Sequence, residues 1–134
     1  MSTTEENLAI IKKIHEAPDY KESVAQYLAD DVEWWADGPK EVLPWAGTFY
    51  GPKGKEEWSN RLNSLMEYEQ FEIKEYIAQG DNVVVVLFAK GYAKPTKKKF
   101  ESEIVRIYTL RNGKIVRVRS YYNTAAYVSA LRSQ

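Results

Sequence analysis

The stretch Phe100–Asn123, FESEIVRIYTLRNGKIVRVRSYYN, decides the fold because its pattern is typical of two long strands joined by a tight turn. Asn112-Gly113 predicts that turn, since this dipeptide favours the left-handed backbone of a two-residue type I′ hairpin. A regular ladder counted from the turn places three opposed pairs on one face of the sheet: Ile107 with Val118, Val105 with Ser120, and Glu103 with Tyr122. We expect this face to line a pocket that is apolar near the turn and polar away from it.

The same count assigns a different set of side chains to the opposite face: Ile104, Arg106, Tyr108, Arg117, Arg119 and Tyr121. Arg106 opposite Arg119 would be unfavourable unless carboxylates or a partner chain lay between them. We therefore expect this second face to make subunit contacts rather than to carry chemistry.

The composition of the chain favours one domain, residues 1–134, which is long enough to bury a core without metal or disulfide support. Lys plus Arg equals Asp plus Glu at 19 each, so no broad positive surface is expected to bind nucleic acid or an anionic membrane. The chain has no cysteine, which excludes thiolate catalysis and cysteine-based metal sites. The first residues lack the apolar core of a signal peptide, and we expect a cytoplasmic protein.

Three helices are predicted before the main sheet. The first begins with the capping-box pair Thr3 and Glu6, and the second with the cap-like pair Asp19 and Glu22, ending near Ala29. The third begins at Pro52, with an apolar stripe made of Trp58, Leu62, Leu65 and Met66. His15, the only histidine, lies near the end of the first helix, where a protonated imidazole would interact favourably with the terminal carbonyls.

Strands are expected at 32–36, at 48–50 and from Tyr68 onward, and a short helix or tail at 124–131 closes the chain. The segment Val83–Phe88 is apolar on both faces, which predicts that both faces of its strand are covered. Because the helices cover one face, the other is expected to meet a second copy of the chain. The sequence therefore predicts a homodimer through the outer sheet face.

The order of two helices, a strand, an aromatic loop, a helix and four antiparallel strands is typical of an α+β domain. Four stretches carry a family resemblance: YLADDVEWW at 27–35, PWAGTFYGPKGKEEW at 44–58, GDNVVVV at 80–86 and RNGKIVRVRSYYNTAAYVSAL at 111–131. Through them the chain resembles the SnoaL-like branch of the nuclear transport factor 2-like superfamily, which is related to ketosteroid isomerases and polyketide cyclases. The resemblance implies a curved antiparallel sheet wrapped around three helices, forming a cone with an internal pocket, and frequently a dimer.

The residues depart from the catalytic pattern of ketosteroid isomerases, which use an aspartate base, a tyrosine on the first helix and a protonated aspartate. Asp37 lies near the first position, only Ile10 or Ile11 matches the second, and Val105 matches the third. The resemblance therefore does not imply steroid isomerisation by that apparatus. SnoaL-like relatives often carry an aspartate where this chain has Asn123, which can orient a ligand but is not a practical base.

Three residues are the candidates for catalysis. Glu103, on the predicted inner face, would be partly desolvated and could move a proton, although it could equally be a strand-end carboxylate paired to a lysine. Asp37 is a second candidate base, or simply a turn residue before Gly38-Pro39. Tyr122 would orient the ligand.

The predicted ligand contacts are Trp34, Trp45, Tyr50, Trp58, Val105, Val118, Ser120 and Asn123, although several of the aromatic residues must belong to the core. No phosphate loop, nucleophile elbow or metal-ligand cluster is present in the sequence, so we expect no cofactor. The predicted partner is a small apolar molecule. The expected function is cofactor-free acid–base catalysis of the isomerase, cyclase or hydrolase type on a small apolar carbonyl compound or epoxide. The alternative is a non-catalytic module that binds a hydrophobic ligand or acts as a dimeric interaction module.

Overall fold

The computed structural model describes residues 3–133, which form an α+β fold of four helices and six strands. In chain order the elements are α1 (Thr4–Glu16), α2 (Tyr20–Ala25), β1 (Leu28–Ala36), β2 (Gly47–Tyr50), α3 (Gly51–Leu65), β3 (Met66–Gln79), β4 (Asn82–Ala93), β5 (Lys99–Arg111), β6 (Lys114–Tyr122) and α4 (Thr124–Leu131). The expected α+β class is confirmed, and the segment expected to be a short helix or tail at 124–131 is the helix α4.

The helix starts follow the capping signals in the sequence. The Thr3 hydroxyl accepts from the Glu6 amide at 3.1 Å, and the Glu6 carboxylate accepts from the Thr3 amide at 2.7 Å. The Asp19 carboxylate accepts from the Glu22 amide at 3.1 Å and begins α2. Two ends differ from the prediction: α2 stops at Ala25, and Met66 begins β3 instead of ending α3.

All six strands belong to one open sheet in the order β2-β1-β6-β5-β4-β3. The four strands from β3 to β6 pair antiparallel, as predicted. The sheet is nevertheless mixed, because β1 pairs parallel with β6, with Trp34 beside Val118. An antiparallel sheet throughout was the wrong expectation, since the local turns that indicate antiparallel neighbours carry no information about a pairing across most of the chain.

The β5–β6 hairpin has the predicted turn but not the predicted register. Asn112 and Gly113 have φ values of 51° and 77°, and Leu110 pairs with Ile115 as expected. The next pair joins Thr109 to Arg117, so Val116 is an extra residue in β6. Such a β-bulge shifts all later pairs by one residue, which reverses the faces of one strand relative to the other.

The bulge decides which β5 side chains point toward the core. Ile104 lies opposite Tyr122, Arg106 opposite Ser120, and Tyr108 opposite Val118, and these side chains face the helices. Glu103, Val105 and Ile107 lie on the outer face instead. The regular ladder predicted from the sequence, with Glu103 inside and Arg106 outside, is therefore wrong.

The core lies between the inner face of the sheet and the helices. Its largest fully buried side chains are Trp34, Trp45, Tyr108, Tyr127, Ile11 and Ile14. Along β4 the buried positions alternate, with Val83, Val85 and Leu87 inside. The intervening residues Val84 and Val86 face outward and remain half-buried.

Candidate functional site

A cavity of about 440 Å³ opens between the helices and the inner face of the sheet. Its apolar wall consists of Trp58, Leu62, Tyr68, Phe71, Ile73 and Leu87, and its polar groups belong to His15, Tyr20, Lys21, Lys55, Ser59, Asn63 and Arg106. Among residues 3–133, no aspartate or glutamate lines the cavity. Cationic and neutral groups therefore determine its electrostatics.

Arg106 projects into the cavity from the inner face of β5 and is 8% exposed. Its Nε donates to Ser120 Oγ at 3.1 Å, its Nη1 lies 3.4 Å from the Tyr20 hydroxyl, and its guanidinium lies 5.6 Å from the Trp58 ring. The ion pairs within residues 3–133 join surface side chains, and Arg106 takes part in none of them. Because arginine remains charged in proteins, the cavity holds a buried cation with no carboxylate partner.

Lys55 is the second buried cation in the cavity wall. The period of α3 places it on one stripe with Trp58, Ser59 and Leu62, and it is only 5% exposed. Its Nζ lies 5.6 Å from the Trp34 ring and 5.8 Å from the Tyr20 ring, and it forms no ion pair with any residue from 3 to 133. Burial, together with the nearby charges of Lys21 and Arg106, lowers the pKa of Lys55 to about 8.

A chain of hydrogen bonds runs from Arg106 into the interior. The Tyr20 and Tyr108 hydroxyls lie 2.7 Å apart, and Tyr108 Oη lies 2.9 Å from His15 Nε2. Arginine can only donate, so Tyr20 accepts from Arg106, and we assign the chain to continue from Tyr20 to Tyr108 and from Tyr108 to His15. This assignment requires an imidazole whose Nε2 is unprotonated.

His15 is suited to that role because it is neutral. Burial, assisted by the charge of Arg106, lowers the pKa of His15 to about 3. Its ring also packs against Tyr20 and Tyr108, with centroids 4.9 and 5.6 Å away. The sequence-based interpretation of a protonated imidazole at the end of a helix is therefore wrong, since the side chain contacts β5 and is desolvated there.

Glu103, the first predicted catalytic residue, does not face the cavity. It lies on the outer face of β5, opposite Phe88 of β4, and its side chain is exposed. The prediction of an inward carboxylate is wrong because the extra residue in β6 reverses the relation between the two strands. The position opposite Tyr122 that it was expected to occupy belongs to Ile104, and the charged side chain on the inner face is Arg106.

Asp37 and Tyr122 do meet, but in a structural contact. The Tyr122 hydroxyl donates to the backbone carbonyl of Asp37 and accepts from Trp45 Nε1 at 2.8 Å. The Asp37 carboxylate accepts from the Gly38 amide at 2.9 Å, which matches the alternative interpretation of a turn residue. Tyr122 borders a void of about 20 Å³ that adjoins the cavity at Trp58 and Arg106, and neither Asp37 nor Tyr122 lines the cavity of about 440 Å³.

The predicted ligand contacts divide into three groups. Trp58 lines the cavity, Trp34 packs behind it with ring centroids 5.1 Å apart, and Ser120 supports Arg106. Trp45 and Val118 are buried core residues outside the cavity. The remaining three face elsewhere: Tyr50 is 67% exposed, Val105 is on the outer face, and the Asn123 side chain caps α4 by accepting from the Ala126 amide.

Sequence reasoning missed the polar groups that the cavity contains: His15 as a buried acceptor, Tyr20, Lys55 and Arg106. One of them carried a signal. Lys55 lies three residues before Trp58 and seven before Leu62, so helical spacing alone places a lysine on the apolar stripe of α3. The inward position of Arg106 had no comparable signal, because both faces of β5 mix apolar and charged side chains.

Within the described part of the chain, no group of three or more His, Asp or Glu side chains is arranged to hold a metal ion. No helix there is long and apolar enough to cross a membrane.

The chain belongs to the SnoaL-like domain family, whose model matches residues 16–118. An NTF2-like protein from Burkholderia xenovorans LB400 is 31% identical over 97% of this chain and 98% of its own, with a TM-score of 0.80. An NTF2-like protein from Burkholderia thailandensis E264 is 23% identical over 98% of this chain and 99% of its own, with a TM-score of 0.84. TerC, whose structure was determined with co-crystallised polyporic acid, is 23% identical in sequence; the match covers 93% of this chain and 97% of TerC, with a TM-score of 0.76. No curated protein matches the chain in sequence.

Proposed function

We propose that the cavity binds a small organic anion with an apolar or aromatic body, and that the protein acts on such compounds as an isomerase- or cyclase-type enzyme. The observation that carries the proposal is the pair of buried cations, Arg106 and Lys55, in a cavity that no carboxylate side chain of residues 3–133 lines. A buried charge without a partner is unfavourable, and an anionic ligand would offset this cost.

The dimensions and walls of the cavity support a ligand of this kind. Its volume of about 440 Å³ falls within the range of about 300–1,000 Å³ that is usual for small-molecule sites. Trp58, Phe71 and Leu87 provide an apolar surface for a ring or a short hydrocarbon, while the cations select the charge. The neighbour TerC was co-crystallised with a compound named as an acid, which agrees with this choice.

The chemistry follows from where donors are concentrated. The Arg106 guanidinium lies at the cavity wall, and its N–H groups would stabilise negative charge developing on a carbonyl oxygen. Isomerisations and cyclisations of carbonyl compounds proceed through enolates, whose charge resides on that oxygen. Solved structures with this fold include proteins provisionally named as isomerases and as a polyketide cyclase.

A second candidate is binding without turnover. It is favoured by the absence of a carboxylate base among the lining residues and by the engagement of His15 with Tyr108. A ligand that co-purifies and is recovered chemically unchanged after incubation would support this candidate. Recovery of an isomer or a cyclised product, identified by mass spectrometry and NMR, would support the enzyme.

Calorimetric titration with two ligands of nearly equal shape tests the anion site. We expect 1-naphthoate to bind and the neutral 1-naphthamide to bind at least ten-fold more weakly, since hydrogen bonds to charged groups contribute about 1.5–3 kcal/mol. Arg106→Gln should abolish the preference. Glu103→Gln is the matched control, because the residue lies on the same strand but faces outward, and it should leave both affinities unchanged. Equal affinity for the acid and the amide in the unmodified protein would refute the proposal.

We also propose that two copies associate through the outer face of the sheet. Ile77 is 48% exposed and Tyr121 is 39% exposed on this face, where Val84, Val86 and Val105 are half-buried. Light scattering coupled to size-exclusion chromatography should give twice the mass of the chain, and Tyr121→Glu should shift it toward the monomer. A monomer at micromolar concentration would contradict this proposal.

A further inference from the structure

The ammonium group of Lys55 lies in surroundings that are unusual for a lysine with a purely structural role. Lysines such as Lys90 and Lys94 extend to the surface and pair with glutamates there. Lys55 is 5% exposed, has aromatic rings within 6 Å of Nζ, and forms no ion pair with any residue in the range 3–133, although Glu56 and Asp19 are near enough to oppose the lowering of its pKa. A lysine enclosed by apolar rings and placed near another cation is the usual arrangement of an amine that acts as a nucleophile.

The second cation near Lys55 is fixed on the far side of Tyr20. The Tyr20 ring lies 5.8 Å from Lys55 Nζ, and its hydroxyl lies 3.4 Å from Arg106 Nη1. Both cations line the same cavity, so one ligand can meet both. The two positions suit a molecule with a carboxylate at one end and an electrophilic carbon at the other.

We propose that Lys55 forms an imine with the carbonyl carbon of a small aldehydo or keto acid whose carboxylate contacts Arg106. This inference rests on the proposed anion site and adds a covalent step to it. The ligand class is thereby narrowed to oxo acids, in which one molecule carries both groups.

The step is balanced without any further reactant. The lone pair of the neutral amine attacks the carbonyl carbon, a C–N bond forms, and the C=O π electrons move to oxygen. A proton passes from nitrogen to that oxygen, which gives a carbinolamine. The nitrogen lone pair then forms the C=N bond as the C–O bond breaks, the second proton of the nitrogen passes to the departing oxygen, and water leaves, so an amine and a carbonyl become an imine and water. Once protonated, the imine withdraws electrons from the carbon next to the imine carbon and makes the hydrogen on that carbon acidic, which is the property that isomerisation and cyclisation require.

The neutral amine that this step needs is present near neutral pH. With a pKa of about 8, roughly 10% of Lys55 is uncharged at pH 7. A surface lysine with the ordinary pKa of about 10.4 is about 0.04% uncharged at that pH. The available fraction therefore differs by more than a hundred-fold, and Lys55 should react before the other lysines.

Reductive trapping with 4-carboxybenzaldehyde and sodium cyanoborohydride tests the inference, followed by peptide mapping by mass spectrometry. We expect one carboxybenzyl group on Lys55, added at least ten-fold faster than on any other lysine at pH 7. Lys55→Arg keeps the charge but cannot be trapped, and it should lose this fast modification. The matched control Lys53→Arg removes an exposed lysine from the same helix and should retain it. Peptide mapping of the labelled protein without any substitution decides the result even if Lys55→Arg fails to fold.

Benzaldehyde, which lacks the carboxylate, separates this inference from the anion site on which it rests. Slower trapping of benzaldehyde than of 4-carboxybenzaldehyde, with the difference removed by Arg106→Gln, would support both. Binding of 1-naphthoate without selective labelling of Lys55 would overturn the imine and leave the anion site in place. Equal trapping of both aldehydes at Lys55 would overturn the contact between the carboxylate and Arg106. Uniform labelling of all lysines would overturn the inference entirely.

Discussion

His15 should make the folded protein sensitive to acid in a pH range that follows from its burial. The pKa of this imidazole is lowered to about 3 in the folded chain, against about 6.5 when it is exposed. Below pH 6.5 the unfolded chain therefore binds a proton that the folded chain excludes. Unfolding takes up that proton, so the free energy of unfolding falls as the pH is lowered from about 6.5 toward 3.

The size of the effect can be worked from these two values. At pH 5 the unfolded imidazole lies about 1.5 pH units below its pKa, and each unit corresponds to about 1.36 kcal/mol, so His15 removes about 2 kcal/mol of stability. Little of this loss is present at pH 7. With an unfolding entropy of about 2.1 cal/mol/K per residue, 2 kcal/mol lowers the Tm of a chain of this length by about 7 °C.

The contribution of His15 is isolated by comparing the protein with His15→Gln in urea denaturation at pH 7 and pH 5. Glutamine can accept the Tyr108 hydrogen bond but does not titrate, and the carboxylates that also respond to acid are the same in both proteins. We expect the unmodified protein to lose about 2 kcal/mol more than the variant over this interval.

The chain has only one histidine, so its ring resonance can also be followed directly by NMR. The imidazole of the folded protein should not titrate between pH 8 and pH 5. Titration near pH 6.5, or equal losses of stability in the two proteins, would refute the placement of His15 as a buried neutral acceptor.

Three further substitutions test the described contacts by urea denaturation. Lys55→Met should raise the free energy of unfolding at pH 7 by about 1–3 kcal/mol. The lowered pKa of Lys55 disfavours folding below about pH 10.4, fully so below about pH 8, and the cavity partly screens that charge. Unchanged or lower stability would contradict the burial of the charge. Tyr122→Phe should lower the free energy of unfolding by about 1–3 kcal/mol, because it leaves the Trp45 indole and the Asp37 carbonyl without their hydrogen-bond partner. Tyr121→Phe on the outer face is the control and should cost little. Equal costs for the two substitutions would be inconsistent with these hydrogen bonds. Gly91→Ala would place a Cβ 1.9 Å from the Glu67 carbonyl oxygen and should cost more than about 2 kcal/mol; near-neutral behaviour would show that β3 and β4 are less closely apposed there.

Local signals in the sequence predicted much of the fold. Thr3, Asp19 and Pro52 mark helix starts through hydrogen bonds and backbone preferences that act over a few residues. Asn112-Gly113 indicates a hairpin for the same reason, because only a few residue types tolerate its dihedral angles. Features that depend on four consecutive residues can be recognised without knowledge of the rest of the chain.

The candidate site depended on a feature that the turn does not determine. Val116 is an ordinary strand residue, and nothing in its identity indicates that it has no partner on β5. The register after it is set by which β5 face fits the core, and that choice is made by contacts with distant helices. The sequence therefore predicted a pocket beneath this hairpin but placed Glu103 there instead of Arg106.

For Lys55 the helical spacing indicated a position on the apolar stripe of α3, but the charge of the side chain argued against burial. Lysine is among the residues that are least often enclosed, and an apolar stripe is normally assigned from its apolar members. Only the cavity, which the helix and the sheet form together, makes room for a charged group at that position.

The extra residue in β6 has a consequence for how such pockets can change over evolutionary time. Because strand side chains alternate, loss of Val116 would reverse the rows of β5 relative to those of β6; if β6 kept its faces, Arg106 would leave the interior and Glu103 would enter it opposite Tyr122. Deletion of a single codon would thus replace a positive charge in the cavity by a negative one while the fold is retained. Related proteins with the same fold can be divided into those that have the extra residue at the position of Val116 and those that lack it, and the second group should prefer cationic or neutral ligands.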